Sequence, residues 1–202
     1  MPLSEKKVFV FDFDGTLVDS NKIKKDAFFQ LTDNEQFNLI LEKTHSKMPE
    51  VSRFILLRNV LEQMKHDDIQ SEVDRLCSLY GSLVEEKTIA CTEMPGAIEL
   101  LKHLGQKKVN IYLSSNTPEI SLKKIIYKRG WDQYFKCLYG SPRNKSETIK
   151  LISKNENLSD SSRIVVLGDG ESDKLSAESI CCDFVDVNSV SLVDVLKELR
   201  NV

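Results

Sequence analysis

Three short apolar runs recur along this 202-residue chain, and each one ends in small or polar residues. They are Val8–Phe11, Val109–Leu113 and Ile164–Leu167. A continuous apolar run of this length is typical of a strand that is buried on both faces of a sheet. Helical patterns lie between and after them, at Pro95–Leu104, Pro118–Lys128 and Lys145–Ser153. Strands that alternate with helices form parallel sheets, so the sequence predicts an α/β fold with its ligand site at the carboxyl ends of the strands.

A long segment, Leu17–Thr92, interrupts this alternation. Its apolar residues recur at helical spacing, and no strand-like run lies among them. We therefore predict a Rossmann-like core formed by residues 1–16 and 93–202, with residues 17–92 as an inserted α-helical cap domain. Because the insertion directly follows the first strand and its polar turn, it would lie over the carboxyl edge of the sheet, which is the position of a lid.

Charge and cysteine content narrow the class of protein. The chain has 28 Lys and Arg against 31 Asp and Glu, so it lacks the basic excess of a protein that binds nucleic acid or acidic membranes. No apolar run approaches the roughly 18 residues of a membrane span. The five cysteines form no CxxC pair, which is typical of a reduced, intracellular protein. We expect a cytoplasmic protein without nucleic-acid or membrane partners, and the sequence does not determine its oligomeric state.

Asp12 and Asp14 are the strongest candidates for chemistry. Asp12 follows the first predicted strand and Asp14 lies two positions later, so both side chains can reach one edge of the sheet before Gly15 allows a tight turn. Two carboxylates this close repel each other, and they share a site with a cation or with one of them protonated. Either condition suits phosphoryl chemistry, whereas an acidic turn without function is the alternative. A calcium loop is excluded, because Leu17 occupies the position where that loop requires glycine.

A second acidic group follows the third apolar run. Asp169 stands at the predicted strand end, and Asp173 lies one helical turn later if a helix begins there. Asp169 could complete an oxygen shell for Mg²⁺, or the whole group could be only an N-capping turn.

Ser115 and Lys145 are weaker candidates, both placed near predicted helix starts. Ser115 follows the second apolar run, and Thr117 with Pro118 has the pattern of a helix cap and first position. A hydroxyl beside the free amides of a helix start forms a small anion site. Lys145 opens a predicted helix, where a positive charge is unfavourable unless an anion lies nearby. A cap and a solvated surface lysine are the respective alternatives.

Together these groups resemble the motifs of the haloacid dehalogenase-like superfamily of phosphotransferases. The matching residues, in family order, are Asp12-Phe13-Asp14-Gly15-Thr16, Ser115, Lys145, and Gly168-Asp169 with Asp173. The helical insertion between the first two motifs resembles the cap of the phosphoglycolate phosphatase and β-phosphoglucomutase branch. The cap sequence itself resembles no substrate loop of a named enzyme.

The resemblance implies a role for each matching residue. Asp12 would attack phosphorus and form an aspartyl phosphate, while Asp14 would protonate the leaving alcohol and then take a proton from water. Mg²⁺ would be held by Asp12, the backbone carbonyl of Asp14 and Asp169, and Asp173 would orient Lys145 or a metal-bound water. The phosphoryl oxygens would be bound by Gly15, Thr16, Ser115, Asn116 and Lys145.

The resulting prediction is a Mg²⁺-dependent phosphatase that acts on a small phosphorylated metabolite, such as a sugar phosphate or a phosphoglycolate-like compound. A phosphomutase uses the same residues and stays open as an alternative. A dehalogenase lacks the second aspartate, because halide leaves without a proton, so Asp14 argues against it. A phospho-accepting receiver is a fold of about 120 residues, which the insertion at 17–92 does not match. A catalytically inactive binding protein would have lost a motif residue, and every one is present.

Arg53 is the candidate substrate-binding residue of the predicted cap. Only three of the seven arginines, Arg53, Arg58 and Arg75, lie in residues 17–92. Arg53 stands at the start of an apolar helical segment, and its planar guanidinium could bind a substrate carboxylate or a second phosphate bidentately. A solvated arginine on one side of the Phe54–Met64 helix is the alternative.

Overall fold

A parallel sheet of five strands confirms the α/β fold predicted from the alternating pattern. The computed structural model describes residues 1–48 and 51–201. Its strands are β1 (Val8–Phe11), β2 (Asn110–Pro118), β3 (Cys137–Ser141), β4 (Ile164–Gly168) and β5 (Asp183–Asp186). They lie in the order β3-β2-β1-β4-β5, with Val10 of β1 opposite Tyr112 and Val166 of the two neighbouring strands. Every residue of the central strand β1 is buried, which is why its sequence is a continuous apolar run.

Two of the strands, β3 and β5, were not predicted. They form the two edges of the sheet, and most of their residues are only half-buried. β5 begins and ends with the aspartates Asp183 and Asp186, so it lacks the apolar run of a central strand. The predicted end of β2 at Leu113 was also wrong, because the strand continues to Pro118 through an irregular register.

The chain divides into two units. The first contains Met1–Ser20 and Cys91–Val202, and the second contains Asn21–Ala90. The segments on either side of the second unit, which were predicted to begin and end the insertion, pair with each other inside the first unit. Val18 forms an antiparallel bridge with Glu93, and the N–H of Asp19 donates to the carbonyl of Thr92 at 2.9 Å.

Within its described residues, the second unit contains helices joined by turns and loops and no strand. Its helices are α1 (Asn21–Phe28), α2 (Glu35–Lys47), α3 (Arg53–Gln63) and α4 (Ile69–Ala90). Asn34 and Ser52 cap α2 and α3, because their side chains accept hydrogen bonds from backbone N–H groups of the first turn. Leu41, Leu57 and Val60 are fully buried in an apolar core of the unit's own. Each such side chain contributes about 1.5–3 kcal/mol to folding.

The helices of the first unit follow the strands and bring their N-termini to the carboxyl edge of the sheet. They are α5 (Ala97–Gly105), α6 (Glu119–Lys128), α7 (Lys145–Asn155), α8 (Glu171–Glu178) and α9 (Leu192–Arg200). α7 begins at Lys145 as predicted, with Asn144 as its cap. Among the described residues, no helix combines the length and apolar character needed to cross a bilayer.

Candidate active site

Lys145 and two aspartates form a buried ionic cluster at the carboxyl edge of the sheet. The Nζ of Lys145 lies 2.7 Å from Oδ1 of Asp12, after β1, and 2.8 Å from Oδ1 of Asp173, in the first turn of α8. All three residues are buried. The alternative of a solvated surface lysine is therefore wrong, because the lysine serves as the counter-ion of two carboxylates.

The charges in this cluster are not balanced. Burial, with the neighbouring carboxylates of Asp173 and Asp14, raises the pKa of Asp12 to about 8, although Lys145 lowers it. Burial also raises the pKa of Asp173, again against the effect of Lys145. Burial alone would lower the pKa of Lys145, but Asp12 and Asp173 outweigh it and hold that pKa above its ordinary value. The ammonium group stays charged, and one positive charge serves two carboxyl groups.

A third carboxylate, Asp169, completes a group that could hold a cation. Ligand oxygens of Asp12, Asp169 and Asp173 all lie within 4.8 Å of one another. The Oδ2 of Asp173 is buried and has no hydrogen-bond partner in the described part of the chain. Leaving such an oxygen unpaired costs about 1–3 kcal/mol, which a coordinated cation would offset. Because carboxylate oxygens are the ligands that Mg²⁺ prefers, the residues present fit this ion.

Gly168 allows Asp173 to reach the cluster. A Cβ atom at residue 168 would lie 2.2 Å from Cγ and 2.5 Å from Oδ2 of Asp173. No real pair of atoms approaches this closely without displacement, and the obstructing atoms belong to a buried carboxyl group that is bonded to Lys145. Glycine at the end of β4 is therefore required for the position of Asp173.

Asp14 has a different set of partners from Asp12, although the two are only two positions apart. The Oγ of Ser20 donates to Oδ1 of Asp14 at 2.6 Å, and Oγ1 of Thr117 donates to Oδ2 at 2.8 Å. Ser115 Oγ donates to the same Oδ2 at 3.4 Å. A hydroxyl group can donate to a carboxylate and accept from a carboxylic acid, so these contacts suit a group that exchanges protons.

A tight turn follows β1 and the two aspartates. Gly15 has a φ of 78°, in the left-handed region that favours glycine, and its N–H donates to the carbonyl of Val18 at 2.8 Å. The turn itself uses this N–H, and binding of phosphate by the Gly15 amide stays a prediction. The N–H groups of Phe13 and Thr16 form no hydrogen bond with the described residues. Phe13, which was not predicted, is thus a candidate anion donor beside Thr16.

The end of β2 places Ser115, Asn116 and Thr117 in different surroundings. Ser115 is buried and accepts a hydrogen bond from the N–H of Thr117 at 3.1 Å, whereas Asn116 is exposed. Thr117 was predicted to cap α6, and this was wrong: Pro118 holds that position without a side-chain hydrogen bond. Because β2 continues to Pro118, Thr117 faces inward and its hydroxyl bonds to Asp14. The sequence signal for this was the i, i+2 spacing of Ser115 and Thr117, which puts two strand side chains on one face.

Arg53 lies in the second unit, at the first position of α3. Its guanidinium is half-buried, 5.5 Å from the centre of the Tyr80 ring and 5.4 Å from that of Phe54. Its Nε is buried without a hydrogen-bond partner among the described residues. Arg53 is therefore partly shielded from solvent by the second unit, and binding of substrate by Arg53 stays a prediction.

Comparison with known proteins adds the family context. The sequence model of the family described as haloacid dehalogenase-like hydrolase matches residues 9–187, a range that includes every residue of the site from Asp12 to Asp173. A search of curated protein sequences gives no significant match.

Several solved structures share the fold. A predicted phosphoglycolate phosphatase from Haemophilus somnus has 18% identity and a TM-score of 0.72, with 96% of this chain and 97% of that chain covered. A Thermotoga maritima protein assigned as a β-phosphoglucomutase has 17% identity and a TM-score of 0.68, with 96% and 99% covered. YfnB from Bacillus subtilis, assigned as a HAD-hydrolase and bound to magnesium, has 16% identity and a TM-score of 0.68, with 92% and 90% covered. At these identities, the similarity shows a common fold.

Proposed function

We propose that this chain, which belongs to the haloacid dehalogenase-like hydrolase family, is a Mg²⁺-dependent phosphatase of small phosphorylated metabolites. The observation that carries the proposal is that two neighbouring aspartates have different hydrogen-bond partners. Asp12 is bonded to Lys145 in a group of carboxylates, whereas Asp14 is bonded to hydroxyls. The first environment suits a nucleophile that must approach a phosphate, and the second suits an acid and base.

Asp12 is the proposed nucleophile. One of its carboxylate oxygens forms a bond to phosphorus, and the bond between phosphorus and the ester oxygen breaks. Asp14 gives a proton to the departing alkoxide. In the second half of the reaction, water attacks phosphorus, Asp14 takes the proton, and the acyl phosphate bond breaks to restore Asp12. Splitting the displacement in this way replaces one difficult step by two easier ones.

Lys145 and the backbone after β1 are proposed to hold the phosphoryl group. The ammonium group lies 2.7 Å from Asp12 and can reach an oxygen of a phosphoryl group attached there. The free N–H groups of Phe13 and Thr16 and the hydroxyl of Ser115 are further donors at this edge. These contacts strengthen as charge develops on the phosphoryl oxygens, so they lower the barrier. We also expect Asn116 to contribute, since it follows Ser115 directly.

Mg²⁺ would be held by Asp12, Asp169 and Asp173. When bound, the ion neutralises negative charge that otherwise keeps a phosphate dianion away from a carboxylate. Two observations support this part of the proposal. The Oδ2 of Asp173 is a buried acceptor without a hydrogen-bond partner in the described residues, and the structural relative YfnB is bound to magnesium.

A phosphomutase is the second candidate, because the structural relatives include a protein assigned as a β-phosphoglucomutase. It would use the same residues but protect the aspartyl phosphate from water. We further propose a cytoplasmic location, which agrees with five cysteines that are all free thiols.

Release of phosphate tests the proposal directly. The purified protein is incubated with phosphorylated sugars, phosphoglycolate and nucleotides, with Mg²⁺ or with EDTA. We expect Mg²⁺-dependent release from at least one compound by the wild type and none by Asp12→Asn, because an amide is a poor nucleophile and carries no charge. Turnover that requires a sugar bisphosphate and yields an isomer would identify a phosphomutase instead. Full activity of Asp12→Asn would overturn both candidate functions.

A further inference from the structure

Thr117 donates a hydrogen bond to one oxygen of the Asp14 carboxyl group. Its Oγ1 lies 2.8 Å from Oδ2, and both side chains are buried. Ser20 donates a hydrogen bond to the other oxygen, with its Oγ 2.6 Å from Oδ1. A carboxyl group with a donor on each oxygen cannot turn about its terminal torsion without breaking one of these bonds. The orientation of Asp14 is therefore fixed by side chains from two separate segments.

Thr117 is itself held in place by two features of the irregular end of β2. Its N–H donates to Oγ of Ser115 at 3.1 Å. Its carbonyl packs against Gly140 of β3, where a Cβ atom would lie 2.6 Å from the Thr117 oxygen and 2.6 Å from Cα of Glu119. Glycine at residue 140 lets the two strands approach closely enough to fix the backbone of Thr117. These two contacts fix the Thr117 backbone, and with it the position of the hydroxyl group beside Asp14.

Ser115 cannot replace Thr117 in this role. Its hydroxyl also reaches Oδ2 of Asp14, but at 3.4 Å, near the outer limit of a hydrogen bond. In the proposed function, this same hydroxyl turns to a phosphoryl oxygen. Thr117 then still donates to Oδ2, and a second lone pair of the carboxyl group stays open to carry the acid proton.

We propose that Thr117 is a positioning residue that holds the Asp14 carboxyl group in line for proton transfer. The inference rests on the proposed phosphatase function and extends it to a residue outside the motifs. When Asp14 gives its proton to the departing oxygen, the proton leaves from a lone pair that neither Thr117 nor Ser20 uses, and the Thr117 hydroxyl donates to Oδ2 before and after the transfer. Precise placement of this kind matters because a small displacement of a catalytic group strongly lowers its effectiveness.

Two substrates with different leaving groups test this role. Glycerol 2-phosphate releases an alkoxide that needs a proton, whereas p-nitrophenyl phosphate releases a phenolate that does not. We expect Thr117→Val to lower kcat on glycerol 2-phosphate at least about tenfold, with KM unchanged and with little effect on p-nitrophenyl phosphate. Thr117→Ser keeps the hydroxyl and should restore kcat. Thr92→Val, a matched change at an exposed threonine, should behave as the wild type.

The outcomes separate this inference from the proposed function. Equal losses on both substrates, or a serine variant as slow as the valine variant, would overturn the positioning role while wild-type turnover upheld the phosphatase. Absence of Mg²⁺-dependent phosphate release by the wild type from these two substrates and from every compound of the phosphate-release screen would overturn the phosphatase and this inference with it. If the valine variant does not fold, Thr117→Ala, which fits within the space of threonine, is measured in the same way.

Discussion

The ammonium group of Lys145 lies 2.7 Å from Oδ1 of Asp12, and both side chains are only 6% exposed. The two residues are 133 positions apart in the chain. They meet because β1 ends, and α7 begins, at the same edge of the sheet. A lysine buried this deeply cannot be solvated, so its charge acts on the carboxylates around it. We propose that the affinity of the site for phosphate depends on this pair.

Loss of the Lys145 charge should weaken phosphoryl binding more than metal binding. We expect Lys145→Met to reduce activity by at least about 10²-fold, the usual effect of removing a donor aimed at developing charge. Binding of beryllium fluoride in the presence of Mg²⁺, measured by calorimetry, should weaken in parallel. Lys150→Met, at an exposed lysine of the same helix, is the control. Equal affinity of wild type and Lys145→Met for beryllium fluoride would remove Lys145 from the phosphate site.

Asp169 should be a ligand of Mg²⁺. We expect Asp169→Ala to weaken Mg²⁺ binding, because the change removes both an oxygen ligand and a negative charge from the group with Asp12 and Asp173. The measurement is a calorimetric titration of the protein with Mg²⁺. Asp132→Asn, at an exposed aspartate, corrects for the change in net charge. Unchanged affinity in Asp169→Ala would place this residue outside the metal site.

Gly168→Ala should inactivate the protein by displacing Asp173. The new methyl group would occupy the place of the Asp173 carboxyl group, so Lys145 would lose one of its two partners. We expect a loss of both activity and Mg²⁺ affinity. Gly105→Ala is a matched control at the end of α5, where nothing lies within 4 Å of the added methyl group. This control should be active and slightly more stable, by about 0.5–1 kcal/mol. Equal activity of the two variants would contradict the packing of Asp173 on Gly168.

The raised pKa of Asp12 predicts a pH dependence of stability in the metal-free protein. Burial raises this pKa from its ordinary value of 3.8 to about 8 in the folded chain, so the folded state binds a proton that the unfolded state has released. The stability that depends on this group is full below pH 3.8 and is lost as the pH rises towards 8. Asp12→Asn is neutral throughout and has no such loss.

Thermal unfolding in EDTA measures this difference. The melting temperature of the wild type should fall relative to that of Asp12→Asn between about pH 5 and pH 8, and Mg²⁺ should restore it. Titrating groups distant from residue 12 cancel in the comparison, whereas Asp173 and Lys145 interact with Asp12 and contribute to the difference. Parallel curves for the two proteins would contradict this, because they would show that ionisation of Asp12 does not lower the stability of the folded protein.

The sequence predicted what depends on burial and on local spacing. β1 and β4 are buried at every position, so their apolar runs stand out, whereas the half-polar edge strands β3 and β5 do not. Lys145 was only a weak candidate from its place at a helix start, and the family resemblance gave it a role, because its partner Asp12 is distant in the chain. Thr117 was misread, since a threonine before Pro-Glu has the pattern of a cap whether its hydroxyl faces a helix or a carboxylate. The continuation of β2 to Pro118 decides between them, and the i, i+2 spacing of Ser115 and Thr117 is a weak signal of it.

Chemical trapping tests whether Asp12 is the nucleophile that forms an acyl phosphate. The protein is quenched during turnover of a substrate found in the phosphate-release screen, reduced with borohydride and mapped by tandem mass spectrometry. Borohydride reduces an acyl phosphate but leaves a free carboxylate unchanged. We expect reduction of residue 12 that depends on substrate and Mg²⁺ and is absent in Asp12→Asn. Continued turnover with residue 12 unmodified, or with the trapped group at Asp14 or Asp173, would contradict it.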